Sequence, residues 1–201
     1  MERENQRIAI TKRLLKESLM KILQTKDLDT ISVAELCRDA GINRATFYRH
    51  YQIPKDILME IQRDFYLRLR QEVKIPESVE NLRNVIETLC SCMNENLELV
   101  RILIKNNSDA NFTNFINDIF LELVTEYRHI GITDKLNQED IRFLALYSAG
   151  GSYFVLRSWA MGSSQKSPAE IAGYLYHLAS RTESFLLNLL SDKDKNTVSG
   201  L

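Results

Sequence analysis

The chain has 201 residues, and its 26 Lys and Arg nearly balance its 27 Asp and Glu, which gives a formal net charge of -1. A hydrophobic content of 44% excludes a disordered chain, and the shortage of helix breakers, 7 Gly and 3 Pro, favours an all-helical fold. The apolar stretches are too short for a membrane span and no secretion signal opens the chain, so we expect a soluble, cytoplasmic protein with no membrane partner.

The charge is distributed unevenly along the chain. Residues 1–70 contain 14 Lys and Arg against 10 Asp and Glu, a net of +4, and the remainder carries a net of -5. A basic front on an acidic body is typical of a nucleic-acid-binding head joined to a body that binds something else. The net charge close to zero therefore does not exclude a nucleic-acid partner.

The first helix is predicted over residues 5–25, because apolar residues recur at helical spacing from Ile8 to Ile22. Basic residues crowd its start. They form either a solvated face or a basic arm close to a phosphate backbone, and the sequence leaves both interpretations open. These residues are Arg3, Arg7, Lys12 and Arg13.

The second helix is predicted to begin at Ser32, which fits the S-x-x-E capping box together with Glu35. Gly41 is predicted to end it, since a residue without Cβ adopts the left-handed conformation easily. Four apolar residues between these ends share one face and should be buried. They are Val33, Leu36, Cys37 and Ala40.

The third helix follows Asn43, whose side chain is predicted to cap it. Phe47 and Tyr51 lie four residues apart and should face inward. The remaining side chains should face outward, and their small, hydroxyl, aromatic and cationic groups suit a DNA major groove. They are Arg44, Ala45, Thr46, Tyr48 and Arg49, with His50 at the far end.

The fourth helix is predicted over residues 54–74, with Pro54 at its start and Lys55 in its first turn. A helix N-terminus with a Lys beside it is suited to a phosphate group. We expect this helix to link a helix-turn-helix domain, residues 1–53, to a regulatory, ligand-binding and dimerisation domain, residues 75–201.

The body is predicted to contain five further helices, which makes about nine in total. The fold class is therefore all-α, with an N-terminal three-helix helix-turn-helix domain and a larger C-terminal helical bundle. The predicted helices of the body begin near residue 79, residue 97, residue 112, residue 138 and residue 168.

The last two predicted helices mix small and aromatic residues on one side. This pattern fits either a well-packed core within one chain or a two-fold seam in which a helix pair from each subunit forms a four-helix bundle. The seam residues would be Gly151, Val155, Trp159, Tyr174, His177, Leu178, Arg181 and Phe185.

Residues 8–70, and above all SVAELCRDAGINRATFYRHYQIPKDIL, resemble the DNA-binding domain of the tetracycline-repressor (TetR) family of bacterial regulators. The resemblance implies a homodimer that places one recognition helix per subunit in successive major grooves of a pseudo-palindromic operator. It also implies repression that a small-molecule effector lifts. The double-stranded operator would be the main partner.

The resemblance also implies which side chains contact DNA. Arg44, Ala45 and Thr46 would contact base edges or nearby phosphates, and Arg44 is the best candidate for pairing with guanine. Ser32 and Thr30 would also reach a phosphate, and for Ser32 a pure capping role remains the alternative. The full predicted set is Ser32, Arg44, Ala45, Thr46, Tyr48, Arg49, His50 and Lys55.

The body offers no assignable ligand pocket, because an aromatic stripe at helical spacing is more often core than ligand site. The chain lacks a Gly-rich phosphate loop, a G-x-S-x-G elbow and a metal-binding His/Glu spacing, so we predict no catalytic residue, metal or cofactor. Cys90 and Cys92 point to different faces of a helix and should be ordinary buried thiols. The remaining alternative is a protein-binding co-regulator whose helical head docks a partner instead of DNA.

Overall fold

A computed structural model describes residues 2–73, 82–106, 113–114, 116–119, 121–122 and 137–182. The described residues form helices and turns and contain no strand, which confirms the all-α class. Their contacts divide the chain into two compact units. The first unit comprises Met1–Arg68 with Ile102–Asn106, and the second comprises Leu69–Arg101 with Asn107–Leu201.

The first four helices follow the order predicted from the sequence. The first helix ends at Ile22, about one turn earlier than predicted, and a short 3-10 helix that was not predicted follows it. The helices are α1 (Glu2–Ile22), the 3-10 helix (Leu28–Thr30), α2 (Val33–Ala40), α3 (Arg44–Tyr48) and α4 (Pro54–Glu72).

The core of the first unit is built from the apolar stripes of these helices. Leu15, Leu19, Leu36, Phe47 and Ile57 are fully buried. The stripe of α1 starts later than predicted, because the described residues 4–10, including the predicted core residue at position 8, are all exposed. The first turns of α1 therefore lie outside the packed part of this unit.

Polar contacts fix α2 against α1. The buried Ser18 hydroxyl donates to Asp39 Oδ2 at 2.8 Å, and Lys21 Nζ donates to Asp39 Oδ1 at 2.7 Å. These two donors, Lys21 first, lower the pKa of Asp39. The carboxylate of α2 is thus held by two side chains of α1.

The first unit is not continuous in sequence, because residues 102–106 belong to it. Ile102, Leu103 and Ile104 are buried, and Asn106 Oδ1 accepts a hydrogen bond from the backbone N–H of Leu28 at 3.3 Å. The division into domains at residues 53 and 75 remains a prediction.

The remaining helices belong to the second unit, except that residues 102–105, the end of the sixth helix, belong to the first. The predicted start of the long helix at residue 138 is confirmed, and a capping box formed by Asn137 and Asp140 precedes it. The helices are α5 (Leu82–Glu95), α6 (Leu97–Lys105), α7 (residues 113–114, 116–119 and 121–122), α8 (Gln138–Ala160) and α9 (residues 168–182). The predicted start of the fifth helix, most of the seventh and the end of the ninth lie outside the described residues.

The three cysteines are free and buried, as expected for structural thiols. Burial raises the pKa of Cys90 to about 12. Within the described part of the chain, no helix is both long and apolar enough to cross a membrane. The same residues contain no group of three His, Cys, Asp or Glu side chains arranged to hold a metal ion.

Candidate nucleic-acid interface

A tight turn at Gly41 joins α2 to α3. Gly41 has φ 66°, and the backbone N–H of Ile42 donates to the carbonyl of Cys37 at 2.9 Å. This 6→1 hydrogen bond is typical of a Schellman motif, in which a left-handed residue closes the helix end. The predicted helix-ending role of Gly41 is confirmed, and half-buried Ile42 follows it directly.

Side-chain caps define where α2 and α3 begin. Ser32 Oγ accepts from the backbone N–H of Glu35 at 3.2 Å, and Asn43 Oδ1 accepts from that of Ala45 at 2.8 Å. Both predicted caps are therefore confirmed. Only the serine half of the capping box is formed at α2, because the Glu35 carboxylate pairs with Lys26 at 2.5 Å.

Two buried aromatic rings hold α3 against the core of the first unit. Phe47 is fully buried and Tyr51 is 5% exposed, which confirms the predicted inward face. Their ring centroids are 6.0 Å apart. Since α3 has only five residues and cannot be stable alone, this burial is what keeps it helical.

The opposite face of α3 is open to solvent. Arg44, Ala45, Tyr48 and Arg49 are exposed, and Tyr48 keeps 60% of its surface accessible. Thr46 is half-buried, and so is the histidine at position 50. Four of the six predicted contact residues that follow Asn43 are therefore exposed, while Thr46 and the histidine are only partly accessible.

Arg44 and Arg49 differ from three lysines of α1 and the following loop in how they are paired. Lys12 contacts Glu60, Lys21 contacts Asp39 and Lys26 contacts Glu35. By contrast, Arg44 and Arg49 form no ion pair with any other described residue, although Arg49 Nη2 donates to Thr46 Oγ1 at 3.0 Å. The positive charge of α3 is thus available to an external anion.

Lys55 is exposed in the first turn of α4 and likewise has no carboxylate partner among the described side chains. The next residue, Asp56, accepts hydrogen bonds from the backbone N–H groups of Gln52 at 2.7 Å and Ile53 at 3.0 Å. An anion of the chain itself therefore already lies at this helix start. The Lys55 ammonium, rather than the helix end alone, is the group that a phosphate would meet.

Thr30 and Ser32, the two hydroxyl residues before α2, differ in whether their O–H group is available to donate a hydrogen bond. Ser32 uses an oxygen lone pair as acceptor and keeps its O–H available to donate. Thr30 already donates its O–H to the carbonyl of Asp27 at 2.7 Å. Ser32 is consequently better placed than Thr30 to donate to a phosphate.

A cluster of charged side chains, here called the Glu60 network, supports α3 and was not predicted from the sequence. The Tyr51 phenol donates to Glu60 Oε2 at 3.1 Å, and Lys12 Nζ donates to the same atom at 2.9 Å. Lys16 Nζ contacts Glu60 Oε1 at 2.9 Å and Asp64 Oδ2 at 2.6 Å. The network comprises Lys12, Lys16, Tyr51, Glu60 and Asp64.

The network sets the protonation state of its members. Burial alone would raise the pKa of Glu60, but hydrogen bonds from Lys12 and Lys16 lower it to about 2. Burial raises the pKa of Tyr51, and the Glu60 carboxylate adds to this. Glu60 is therefore ionised and Tyr51 is a neutral hydrogen-bond donor at neutral pH.

A second exposed surface, here called the α8–α9 face, lies in the second unit. Its large apolar side chains, Phe143, Tyr147, Phe154, Tyr174 and Leu178, are between 54% and 71% exposed. A groove of about 130 Å³ runs between the two helices, and Gly151, Val155 and Leu178 contribute to its walls. Phe143 and Phe154 were absent from the predicted seam, although they lie at helical spacing from Tyr147 and Gly151.

The residues predicted for the seam do not all lie on the α8–α9 face. Gly151, Tyr174, His177, Leu178 and Arg181 are exposed, and Val155 is half-buried. Trp159 is 7% exposed, and its indole N–H donates to the carbonyl of Lys166 at 2.9 Å. Trp159 therefore supports the connection between α8 and α9 and offers little surface to a partner, while Phe185 lies outside the described residues.

Comparison with known proteins decides the family. A family model described as "Transcriptional regulator C-terminal region", the TetR_C_8 model, matches residues 80–181, just over half of the chain. The chain belongs to the TetR family. The matched residues lie outside the 8–70 segment on which the sequence resemblance rests, so two separate parts of this TetR-family chain give the same assignment.

No curated protein matches the sequence of this TetR-family chain significantly. Solved structures match its fold along nearly their whole length. NalD of Pseudomonas aeruginosa, the secondary repressor of the MexAB-OprM multidrug efflux pump, has a TM-score of 0.66 at 15% identity and covers 87% of this chain and 97% of its own. A TetR regulator of Streptococcus agalactiae has a TM-score of 0.63 at 16% identity, with 88% and 98% covered.

A third similar structure holds a ligand. FadR of Thermus thermophilus, a TetR-family repressor in complex with lauroyl-CoA, has a TM-score of 0.53 at 15% identity and covers 84% of this chain and 92% of its own. At such identities the likeness shows the fold alone. Membership of the TetR family nevertheless confirms the coarse functional class, a transcriptional regulator.

Proposed function

We propose that this TetR-family regulator is a cytoplasmic homodimer that binds a pseudo-palindromic DNA operator through α3 and represses transcription until a small ligand releases it. One observation carries the DNA-binding part. The five-residue helix α3 and its C-cap Arg49 present two arginines that pair with no carboxylate of the described residues, together with a hydroxyl and an exposed tyrosine, while two buried aromatic rings hold the helix against the core. Such a face is suited to base edges and phosphates.

The α3 residues divide into two kinds of contact. Arg44, Ala45 and Thr46 at the start of α3 are proposed to contact base edges, with Arg44 pairing with guanine. Lysine and phenol groups suit phosphates, which fix the register on the duplex without carrying sequence information. The proposed backbone contacts are Ser32, Tyr48, Arg49, His50 and Lys55.

Dimerisation is proposed through the α8–α9 face. Five large apolar side chains of these two helices are exposed, and large exposed apolar patches on soluble proteins mark interaction sites. The exposed glycine at position 151 lets a second helix approach closely. A two-fold pair of α8 and α9 would form a four-helix seam, which also doubles the number of DNA half-sites read.

Release by a ligand is supported only by analogy of fold. FadR of T. thermophilus binds lauroyl-CoA, and NalD is a repressor. The aromatic and apolar residues Phe65, Met93 and Ile102 are buried as core, so they identify no pocket. We therefore propose that an effector exists without assigning its binding residues.

The DNA-binding proposal is tested with DNA fragments selected from genomic DNA by the purified protein. A selected fragment should bind more tightly than a scrambled duplex, and the logarithm of the binding constant should fall with the logarithm of the salt concentration by about 0.9 per contacted phosphate. A slope near zero contradicts phosphate contacts. Failure to enrich any sequence contradicts the proposal and favours a protein-docking head.

Repression is tested with the selected fragment placed upstream of a reporter gene. Reporter output should rise when the regulator is removed. A fall in output would show activation instead. An effector is then sought among compounds that restore output while the regulator is present.

A further inference from the structure

Glu60 lies where α1, α4 and Tyr51, three residues beyond the end of α3, meet. One oxygen of its carboxylate accepts from Tyr51 and Lys12, and the other contacts Lys16. The side chain of Glu60 is only 16% exposed. Three donors from two other segments thus converge on one largely buried carboxylate of α4.

We infer that Glu60 is a positioning residue for DNA recognition, and that it sets the angle of α3 through the phenol of Tyr51. Glu60 makes no contact with DNA in this arrangement. The inference rests on the proposed function, since the angle of α3 matters only if α3 reads DNA. It adds a residue that the resemblance to the TetR family did not indicate.

Apolar burial alone does not set this angle. The Phe47 and Tyr51 rings hold α3 against the core, but the hydrophobic effect has no direction. A hydrogen bond loses strength steeply when its geometry is distorted. The bond from the Tyr51 phenol to Glu60 therefore restricts rotation of α3 about its two aromatic anchors in a way that packing does not.

The charges within the Glu60 network balance, so a positioning effect of Tyr51 can be distinguished from electrostatic attraction to DNA. Lys12 and Lys16 face Glu60 and Asp64, so two positive charges meet two negative ones. Lys12 Nζ also lies 5.4 Å from the ring centroid of Tyr51. Removing the Tyr51 hydroxyl changes no charge on the surface, and attraction to DNA phosphates should consequently persist.

The Tyr51→Phe variant tests the inference with the lightest change. Affinity for a selected operator fragment should fall about three- to tenfold, as expected for part of one charge-assisted hydrogen bond, while affinity for a scrambled duplex of equal length stays constant. Tyr66→Phe is the matched control, because its phenol lies on α4 and accepts from Gln62 at 3.2 Å. An equal loss on both duplexes, or none on the operator, overturns the inference.

A double-mutant cycle tests whether the effect passes through Glu60. Tyr51→Phe should change operator affinity less in a Glu60→Leu background than in the parent protein, since leucine cannot accept the phenol hydrogen bond and the two residues form one contact. Strictly additive effects overturn the proposed route. Melting temperatures of all variants are measured to confirm that each is folded at the assay temperature.

Hydrogen exchange without DNA distinguishes failure of this inference from failure of the proposed function. The backbone N–H groups of His50 and Tyr51 donate to the carbonyl of Phe47 at 2.9 and 3.0 Å. Tyr51→Phe should accelerate their exchange, and Tyr66→Phe should not. Unchanged exchange contradicts the role of Glu60 even if the protein binds an operator. Accelerated exchange in a protein that selects no DNA means that the contact holds α3 but that α3 does not read DNA.

Discussion

At the scale of single residues, Arg44 and Lys55 differ from Lys12 in whether a carboxylate of the chain already pairs with their charge. Lys12 is predicted from the sequence either as part of a solvated face or as part of a basic arm, and the structure pairs it with Glu60. Arg44 and Lys55 keep their charge available within the described part of the chain. A residue's own neighbours, rather than its charge alone, decide whether it is free to contact DNA.

Substitution of Arg44 should alter sequence preference. If its guanidinium pairs with guanine, Arg44→Ala costs about 1–3 kcal/mol on the preferred operator and relaxes the preference at one base pair. The measurement is binding to a panel of operators with each base pair changed in turn. If Arg44→Ala changes neither the affinity for the preferred operator nor the ranking of the altered operators, Arg44 does not contact the bases directly.

Substitution of Lys55 should weaken binding to every sequence alike. Lys55→Ala removes a charge from the proposed backbone contact, so the slope of log affinity against log salt should become shallower by about 1. Lys26→Ala is the matched control, since Lys26 is an exposed lysine already paired with Glu35. A change confined to one base pair would assign Lys55 to base readout instead.

The low pKa of Glu60 predicts a pH dependence of stability. Its pKa falls from 4.5 in the unfolded chain to about 2 in the folded one, so its contribution is fully present above about pH 4.5 and is lost as the pH falls towards 2. Such a shift corresponds to on the order of 3 kcal/mol. The free energy of unfolding, measured with urea, should therefore differ between the parent protein and Glu60→Gln at pH 7, and the two values should converge near pH 2.5. A constant difference at every pH contradicts the assignment.

At the scale of elements, the turn between α2 and α3 depends on one backbone conformation. Gly41 has φ 66°, and a Cβ added there would meet no atom within 4 Å. Position 41 therefore requires glycine for its backbone conformation and not for lack of space. This is why a sequence pattern was sufficient to predict where α2 ends.

Replacement of Gly41 should consequently destabilise the fold through backbone strain alone. Gly41→Ala should cost about 1–2 kcal/mol of unfolding free energy, and Gly41→Asn less, because Asn tolerates the left-handed region. Gly173→Ala is the opposite control, since Gly173 lies within α9 in open space and Ala should stabilise that helix by up to about 1 kcal/mol. Equal costs for Ala and Asn at position 41 would contradict this explanation.

The sequence predicted those features of the helices that depend on residues close by in the chain. The caps at Ser32 and Asn43 and the inward Phe47 and Tyr51 follow from neighbours within four residues. The Glu60 network joins residues 48 positions apart, and such a pairing leaves no local pattern. Helical spacing likewise groups Tyr147 with its neighbours on one face without showing whether the chain itself covers that face.

At the scale of the whole molecule, the α8–α9 face is the proposed dimer interface. Leu178→Glu places a charge in the centre of this face and should shift a homodimer towards the monomer of 23.3 kDa. Leu67→Glu is the matched control, because Leu67 is 57% exposed against 58% for Leu178 and lies in the other unit. Sedimentation at micromolar concentration measures the mass. A monomeric parent protein, or dissociation by both substitutions alike, contradicts the proposed interface.

The hydrogen bond between Leu28 and Asn106 has a consequence for how this protein is made. Its two ends are separated by 78 residues, so the first unit lacks a part of its structure until the ribosome has passed residue 106. A fragment that stops at residue 73 would leave the Leu28 amide without its acceptor and uncover the apolar surface against which residues 102–104 are buried. The nascent chain therefore completes its first unit only after the start of the body has been synthesised, and a fragment extended through residue 106 should refold more cooperatively than the shorter one.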